Sequence, residues 1–364
     1  MIRMYNFKEQ YQSIKTEIDY SLQAVLNDTA FSGGKYVENF ESNFSRYIGT
    51  KYCVAVNNGT SALHASLLAL NIKNGDEVLV PTFSFYATCE SVSLTGATPI
   101  FIDSDYNNFN LDLNDLESKI TNKTKAIICV HLYGQACNME KLKYIAEKYN
   151  LFLIEDAAQA HGAEYKNIKI GSFGDFSCFS FYPTKNLGAY GEAGAILTNS
   201  KENYKKLQSI RNHGSTKQYH HKMIGHNFRM SGFQGAILSV KLKYLDKWNN
   251  IRLRNAKLYN SYLSKIENIQ TPKITKDYKH VFHQYVIKVK NRDLLKDYLF
   301  QNEIDSAIYY PIPCHLQTIY KNKFVTNSIS EKLANEVLAL PIAEHITKDN
   351  IKYISDSICK FYLK

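Results

Sequence analysis

Apolar residues recur along the chain with two periods. From residue 52 to residue 199, short runs rich in β-branched and aromatic residues alternate with stretches of helical spacing. The runs are YCVAV (52–56), EVLVPT (77–82), TPIFID (98–103), KAIICVHL (125–132), LFLIED (151–156), FSCFSF (176–181) and GAILTN (194–199). Between them SALHASLLAL places Leu63, Leu67 and Leu70 at i, i+4, i+7, and NMEKLKYIAEKY places Leu142, Ile145 and Tyr149 at the likewise helical i, i+3, i+7. Such alternation predicts an α/β domain built on a mostly parallel sheet covered by helices.

Near residue 240 the pattern changes. SVKLKYLDKWNNIRLRNAKLYNSYLSKI predicts one long charged helix over about 240–266, bridging to a second unit. HQYVIKVK then reads as a strand, DLLKDYLFQNEI as a helix and IKYISDSICKFYLK as a terminal helix. The expected division is a large domain over 1–245 and a smaller C-terminal α+β domain over 246–364. The residues ahead of the first strand, with an early helix and FSGG at 31–34, are expected to pack across the large domain or a neighbouring subunit.

Composition narrows the class. With 45% hydrophobic and 21% charged residues the chain matches globular enzymes rather than disordered proteins. It contains no run of about eighteen uncharged apolar residues, and its start has no apolar signal region, so a cytoplasmic protein is expected. Seven cysteines stand without a CxxC pair, which indicates neither a zinc site nor a disulfide framework. The net charge of +10 comes from dispersed lysines, so solvated faces or attraction for a phosphate-bearing small molecule are preferred to nucleic acid. His220, His221 and His226 lack a carboxylate or cysteine companion at metal-ligand spacing, and no metal is expected.

Ligands of open α/β sheets collect where strands end. After YCVAV, Asn58-Gly59 makes a turn and Thr60 and Ser61 open a helix, an anion site or an ordinary Thr cap. After LFLIED, the buried acid Asp156 calls for a cation, which an arginine or a protonated ring nitrogen would supply equally. After FSCFSF, Lys185 follows Ser180 and precedes Gly188, Gly191 and Gly194; a buried lysine becomes a neutral nucleophile, a surface one does not. Together the three features match pyridoxal 5'-phosphate (PLP): phosphate on a helix start, ring nitrogen on a carboxylate, aldehyde on a lysine.

The ordered set NNGTSALHASLLAL, PTFSFYAT, HLYGQACNMEKL, EDAAQAHGAEY, GDFSCFSFYPTKNLGAYGEAGA and HNFRMSGFQGAILSVKL resembles the DegT-type sugar-nucleotide aminotransferases, which are fold type I PLP enzymes. The resemblance implies that Lys185 bonds the cofactor and shuttles the proton, and that Asp156 pairs with the pyridine nitrogen. It places Gln159 near the ring hydroxyl, and Gly59, Thr60, Ser61 and Ser180 around the phosphate. Phe85 falls where the family stacks an aromatic on the ring, an ordinary core Phe being the rival reading. Asn227 matches an asparagine lent by a neighbouring subunit, which implies a homodimer with a shared site.

The implied reaction moves an amino group from L-glutamate to a keto sugar on a nucleotide diphosphate. Relatives with histidine at the lysine position remove a hydroxyl instead; lysine here excludes that reading. AIYYPIPCHLQTIY (307–320) resembles an element of members that aminate the C3 ketone of a dTDP-linked 6-deoxyhexose, C4 members being the alternative. Tyr310 and His315 are its candidate substrate contacts, or packed residues of a Pro-bounded loop. Lys217 and Tyr219, with His220, would meet the pyrophosphate or simply face water. Tyr190 and Glu192 depart from the residues the family more often carries, and Tyr190 is expected to narrow the pocket. An amino-acid-acting fold type I enzyme and a non-catalytic PLP-binding regulator are the competing classes.

Overall fold

A computed structural model describes residues 1–273, 275–320 and 329–363. Seven strands form its main sheet in the order Tyr52–Val56, Gly194–Thr198, Phe176–Ser180, Phe152–Asp156, Thr124–Val130, Glu77–Pro81, Thr98–Ile102. All pairings are parallel except those of Gly194–Thr198, which runs against both neighbours. The strands read as continuous apolar runs because both faces are covered. Ala55, Leu79, Ile127 and Leu153 enter one core, while Val54, Val78, Ile128 and Ile154 enter the other. Successive residues of a strand point to opposite faces, so one run feeds two cores.

The helix after the first strand, Gly59–Ala69, is buried all round rather than on one face. Its expected one-sided stripe is therefore corrected: it packs between the Phe176–Ser180 strand, the Ala87–Leu94 helix and the Lys201–Arg211 helix. In the Met139–Tyr149 helix Leu142 and Ile145 are buried as expected, but Tyr149 is exposed, and Ala146 takes the inner position.

The predicted bridging helix is also corrected. It divides into Gly232–Leu242 and Leu245–Leu263. At the junction Lys243 N–H bonds to Val240 O (3.2 Å) and Tyr244 N–H to Lys241 O (3.0 Å), a tightened 3₁₀ turn that re-aims the axis. Leu245 thereby enters the main core and Trp248 packs with Ile14 and Ile18 near the start of the chain.

Beyond it Ile269–Gln270, Tyr285–Val289 and Val337–Leu340 form an antiparallel sheet. Helices Leu245–Leu263, Arg292–Gln301 and Lys348–Tyr362 share its core. The first residues of the chain join this C-terminal part: Ile2 bridges Ile304, and Met4 N–H bonds to Asp305. Among the described residues no helix is long and apolar enough to cross a membrane.

Candidate active site

A cavity of about 750 Å³ opens at the carboxyl ends of the parallel strands. Its lining includes Gly59, Thr60, Phe85, Asp156, Gln159, Ser180, Lys185 and Tyr310, so one space gathers residues from the ends of four strands and the C-terminal part.

The end of the cavity at the Gly59–Ala69 helix start is shaped by close backbone approach. Asn58 caps the Gly59–Ala69 helix, its Oδ1 accepting Ser61 N–H at 2.7 Å, and Ala62 N–H bonds to Asn58 O. The N–H groups of Gly59 and Thr60 are left at the helix start. A Cβ on Gly59 would lie 2.7 Å from Ser180 Cβ, and one on Gly194 would lie 2.4 Å from Asn58 O. Only glycines let this turn press against Ser180. Ser61 itself is buried and does not line the cavity, because the cap draws it into the helix.

The adjacent acids divide by face. Glu155 points away from the cavity into a shell of donors: Gly171 N–H, Phe173 N–H and Gly174 N–H at 2.9 Å each, Ser177 Oγ at 2.7 Å and His131 Nε2 at 3.2 Å. Burial opposes its charge, yet these donors hold its carboxyl below the ordinary range. Asp156 lines the cavity and has fewer donors. Thr88 Oγ1 donates to its Oδ2 at 2.8 Å and Ala158 N–H to its Oδ1 at 3.2 Å. Burial pushes its carboxyl above the ordinary range against those bonds and the nearby Lys185 charge. A cation against it would repay that burial.

Lys185 is only partly buried by area, but its amine is lowered from 10.5 to about 8, by burial first, with Asp156 opposing. Gln159 is held by Tyr133 N–H donating to its Oε1 at 2.7 Å, so its Nε2 meets the Tyr310 hydroxyl at 3.0 Å. Phe85 is 58% exposed, and this overturns the core-Phe reading. Its ring lines the cavity, 6.0 Å from that of Tyr310.

An amine of lowered pKa, a donor-poor buried acid, a glycine cradle on a helix start and an open aromatic face fit PLP. The description of the DegT/DnrJ/EryC1/StrS aminotransferase family matches residues 12–359. The chain belongs to that family.

Members of the family are PLP-dependent sugar aminotransferases, and so is this chain. It is 42% identical to the dTDP-3-amino-3,6-dideoxy-alpha-D-galactopyranose transaminase of Aneurinibacillus thermoaerophilus, covering 99% of both chains. It is 39% identical to a UDP-N-acetyl-3-dehydro-alpha-D-glucosamine 3-aminotransferase of Acidithiobacillus ferrooxidans, covering 98% of this chain and 97% of that one. A Geobacillus stearothermophilus relative, 40% identical over 99% of this chain and 98% of its own, is named a pleiotropic regulatory protein. The solved structure of S. venezuelae DesV superposes with a TM-score of 0.97 at 35% identity, over 100% of this chain and 99% of that one. That of NtdA from Bacillus subtilis, with bound cofactor PMP, has a TM-score of 0.91 at 32% identity, over 97% and 82%.

Other expected residues lie elsewhere in this aminotransferase. His315 is 4% exposed, bonded through Nδ1 to Thr82 Oγ1 and through Nε2 to Glu331 at 3.0 Å. With both ring nitrogens engaged it joins the loop to the large sheet and is corrected to a packed residue. Tyr190 does not narrow the cavity: its ring packs beside Tyr11 and under the buried Lys241 ammonium. Glu192 does line it. Lys217, Tyr219 and Asn227 are exposed, outside the cavity of their own chain; Lys217 and Tyr219 belong to a short hairpin, where Tyr219 is 85% exposed. Residues the sequence reading missed include Thr88, Tyr5, Tyr309, His283 and Gln284. Thr88 stands in the PTFSFYAT motif; the others carry no local signal.

Proposed function

We propose that this aminotransferase carries an amino group from L-glutamate to the C3 ketone of a dTDP-linked 6-deoxyhexose. The observation that carries the amino-transfer reading is the Lys185 amine, lowered to about 8, in one cavity with the buried Asp156. The sugar reading is supported by the dTDP-3-amino relative and by the YYPIPCHLQ segment, residues 309–317.

PLP, when bound, supplies the electron sink that makes the donor's α-proton removable. Lys185, neutral in part near neutral pH, takes that proton and returns it. Asp156 keeps a negative charge against the ring nitrogen, and Thr88 holds that carboxylate in place. The Gly59 and Thr60 N–H groups and the Ser180 hydroxyl would hold the phosphate. Phe85 would cover one ring face and Gln159 Nε2 would donate to the ring hydroxyl. On this reading residues 1–245, apart from the first few that join the C-terminal part, are the cofactor domain and 246–364 the smaller domain. A two-fold homodimer fits the exposure of Asn227, Lys217 and Tyr219, which lie outside the cavity of their own chain and in such a dimer would serve that of a neighbouring copy.

Purified holoenzyme should change its cofactor spectrum with L-glutamate and regain it with a keto nucleotide sugar. A panel of dTDP-, UDP- and GDP-linked 3-keto and 4-keto sugars, with mass detection of product, decides the acceptor. Amination confined to a UDP- or GDP-linked sugar, or to C4, would replace the substrate reading. A spectrum indifferent to glutamate would remove the donor.

A further inference from the structure

The roles above leave Ser84, His283 and Gln284 unused among the buried polar residues of the cavity, and of these three Gln284 has a side-chain atom without a partner. Gln284 is 4% exposed and lines the cavity from the start of the Tyr285–Val289 strand. Its Nε2 donates to the Tyr5 hydroxyl at 2.7 Å, but its Oε1 has no partner. An unpaired buried amide oxygen is costly and points to a ligand that completes it.

A chain of hydrogen bonds settles which amide atom is left over. Asn249 Nδ2 donates to His161 O (2.8 Å), so its Oδ1 receives Asn186 Nδ2 (2.8 Å), which also donates to Val281 O (3.0 Å). Asn186 Oδ1 is therefore the atom facing His283 Nδ1 at 3.2 Å, and it must accept. Burial, with Lys185 and Arg252 nearby, holds His283 well below its ordinary pKa, so the ring is neutral. Its single proton is on Nδ1, and Nε2 is an acceptor that receives Gln284 Nε2 at 3.4 Å. Turning the amide would set Oε1 against that lone pair. The spare atom is an acceptor, and whatever fills it must bring a proton.

We propose that Gln284 Oε1 accepts a hydrogen bond from a sugar hydroxyl beside the ketone that receives nitrogen, and so determines which sugars react. The inference rests on the keto nucleotide-sugar reading above. L-glutamate suits the position poorly: its carboxylates would meet a lone pair, and its amine is the group being transferred. Tyr5 and Tyr309 add hydroxyls to the same side of the cavity, in keeping with a polyhydroxyl ligand.

The two half-reactions separate the outcomes. In Gln284→Leu holoenzyme the glutamate half-reaction should stay within about twofold of wild type, while the half-reaction with the accepted keto sugar slows at least about tenfold. Wild type should lose about as much with an analogue deoxygenated at one of the two carbons flanking the ketone, and Gln284→Leu should lose nothing further with it. Equal loss in both half-reactions, loss with glutamate alone, or no loss overturns the proposal. Should the variant not fold, the analogues decide with wild type: indifference to both deoxygenations overturns the inference while leaving the substrate reading intact. If no keto sugar restores the wild-type spectrum, the substrate reading falls and this inference with it.

Discussion

The amine of Lys185 should be a usable nucleophile two to three pH units below a free lysine. In the cofactor-free chain burial lowers it from 10.5 to about 8, and Asp156 limits the drop. At about pH 7 roughly one amine in ten is then neutral, against roughly three in ten thousand for an unperturbed lysine, a gap of about 300-fold in reactive species. Stopped-flow capture of PLP by the cofactor-free protein, followed by cofactor absorbance with Lys185→Ala as the blank, reads this directly. The rate should climb about tenfold per pH unit below about pH 7, reach half its plateau near pH 8 and flatten above about pH 9. Asp156→Asn removes the opposing charge and should move the midpoint below 8. A rate still climbing tenfold per unit above about pH 9 would refute the burial argument.

The sign for stability follows from the same shift. The unfolded chain binds the proton and the folded one does not between about pH 8 and 10.5, so folding stability from this group rises with pH across that window and the penalty is fully present below it. Lys241 and Lys288 are also lowered to about 8 by burial, so a denaturation curve mixes three lysines. Cofactor capture isolates Lys185.

Thr88→Val removes the O–H that donates to Asp156 at 2.8 Å; a hydrogen bond to a charged group contributes about 1.5–3 kcal/mol, so the single-turnover rate with L-glutamate should fall about 10- to 100-fold with near-normal PLP affinity. An unchanged rate would mean that Asp156 is held without it. Gly59→Ala puts a Cβ 2.7 Å from Ser180 Cβ, so the phosphate cradle must open, and PLP affinity measured by equilibrium dialysis should weaken at least about tenfold. His315→Leu removes one hydrogen-bond partner each from Thr82 and Glu331 and should cost about 1–3 kcal/mol in chemical denaturation while leaving KM for the nucleotide sugar near normal. A large KM rise at unchanged stability would restore His315 as a substrate contact.

Much of the site could be read before folding because it is written in short strings at strand ends. Asn58 to Thr60, Asp156 to Gln159 and Ser180 to Lys185 each sit where an apolar run stops, and a parallel sheet brings all such stops to one edge. Neighbours in sequence were less easily told apart. Glu155 and Asp156 look alike as letters, yet strand alternation turns one into a shell of N–H donors and the other toward the cavity. Thr60 and Ser61 divide for a similar reason, since a helical cap turns consecutive residues to different sides.

By itself the sequence determined the α/β order and marked Lys185, Asp156 and the Asn58-Gly59 turn as strand-end residues, since each depends on local period and residue chemistry. Tertiary structure decided the rest. Gln284 meets Tyr5 across 279 positions of chain, His315 is withdrawn by Thr82 from 233 positions away, and Thr88 reaches Asp156 from 68. Such contacts follow from how layers pack against one another, and packing leaves no periodic mark on the residues it joins.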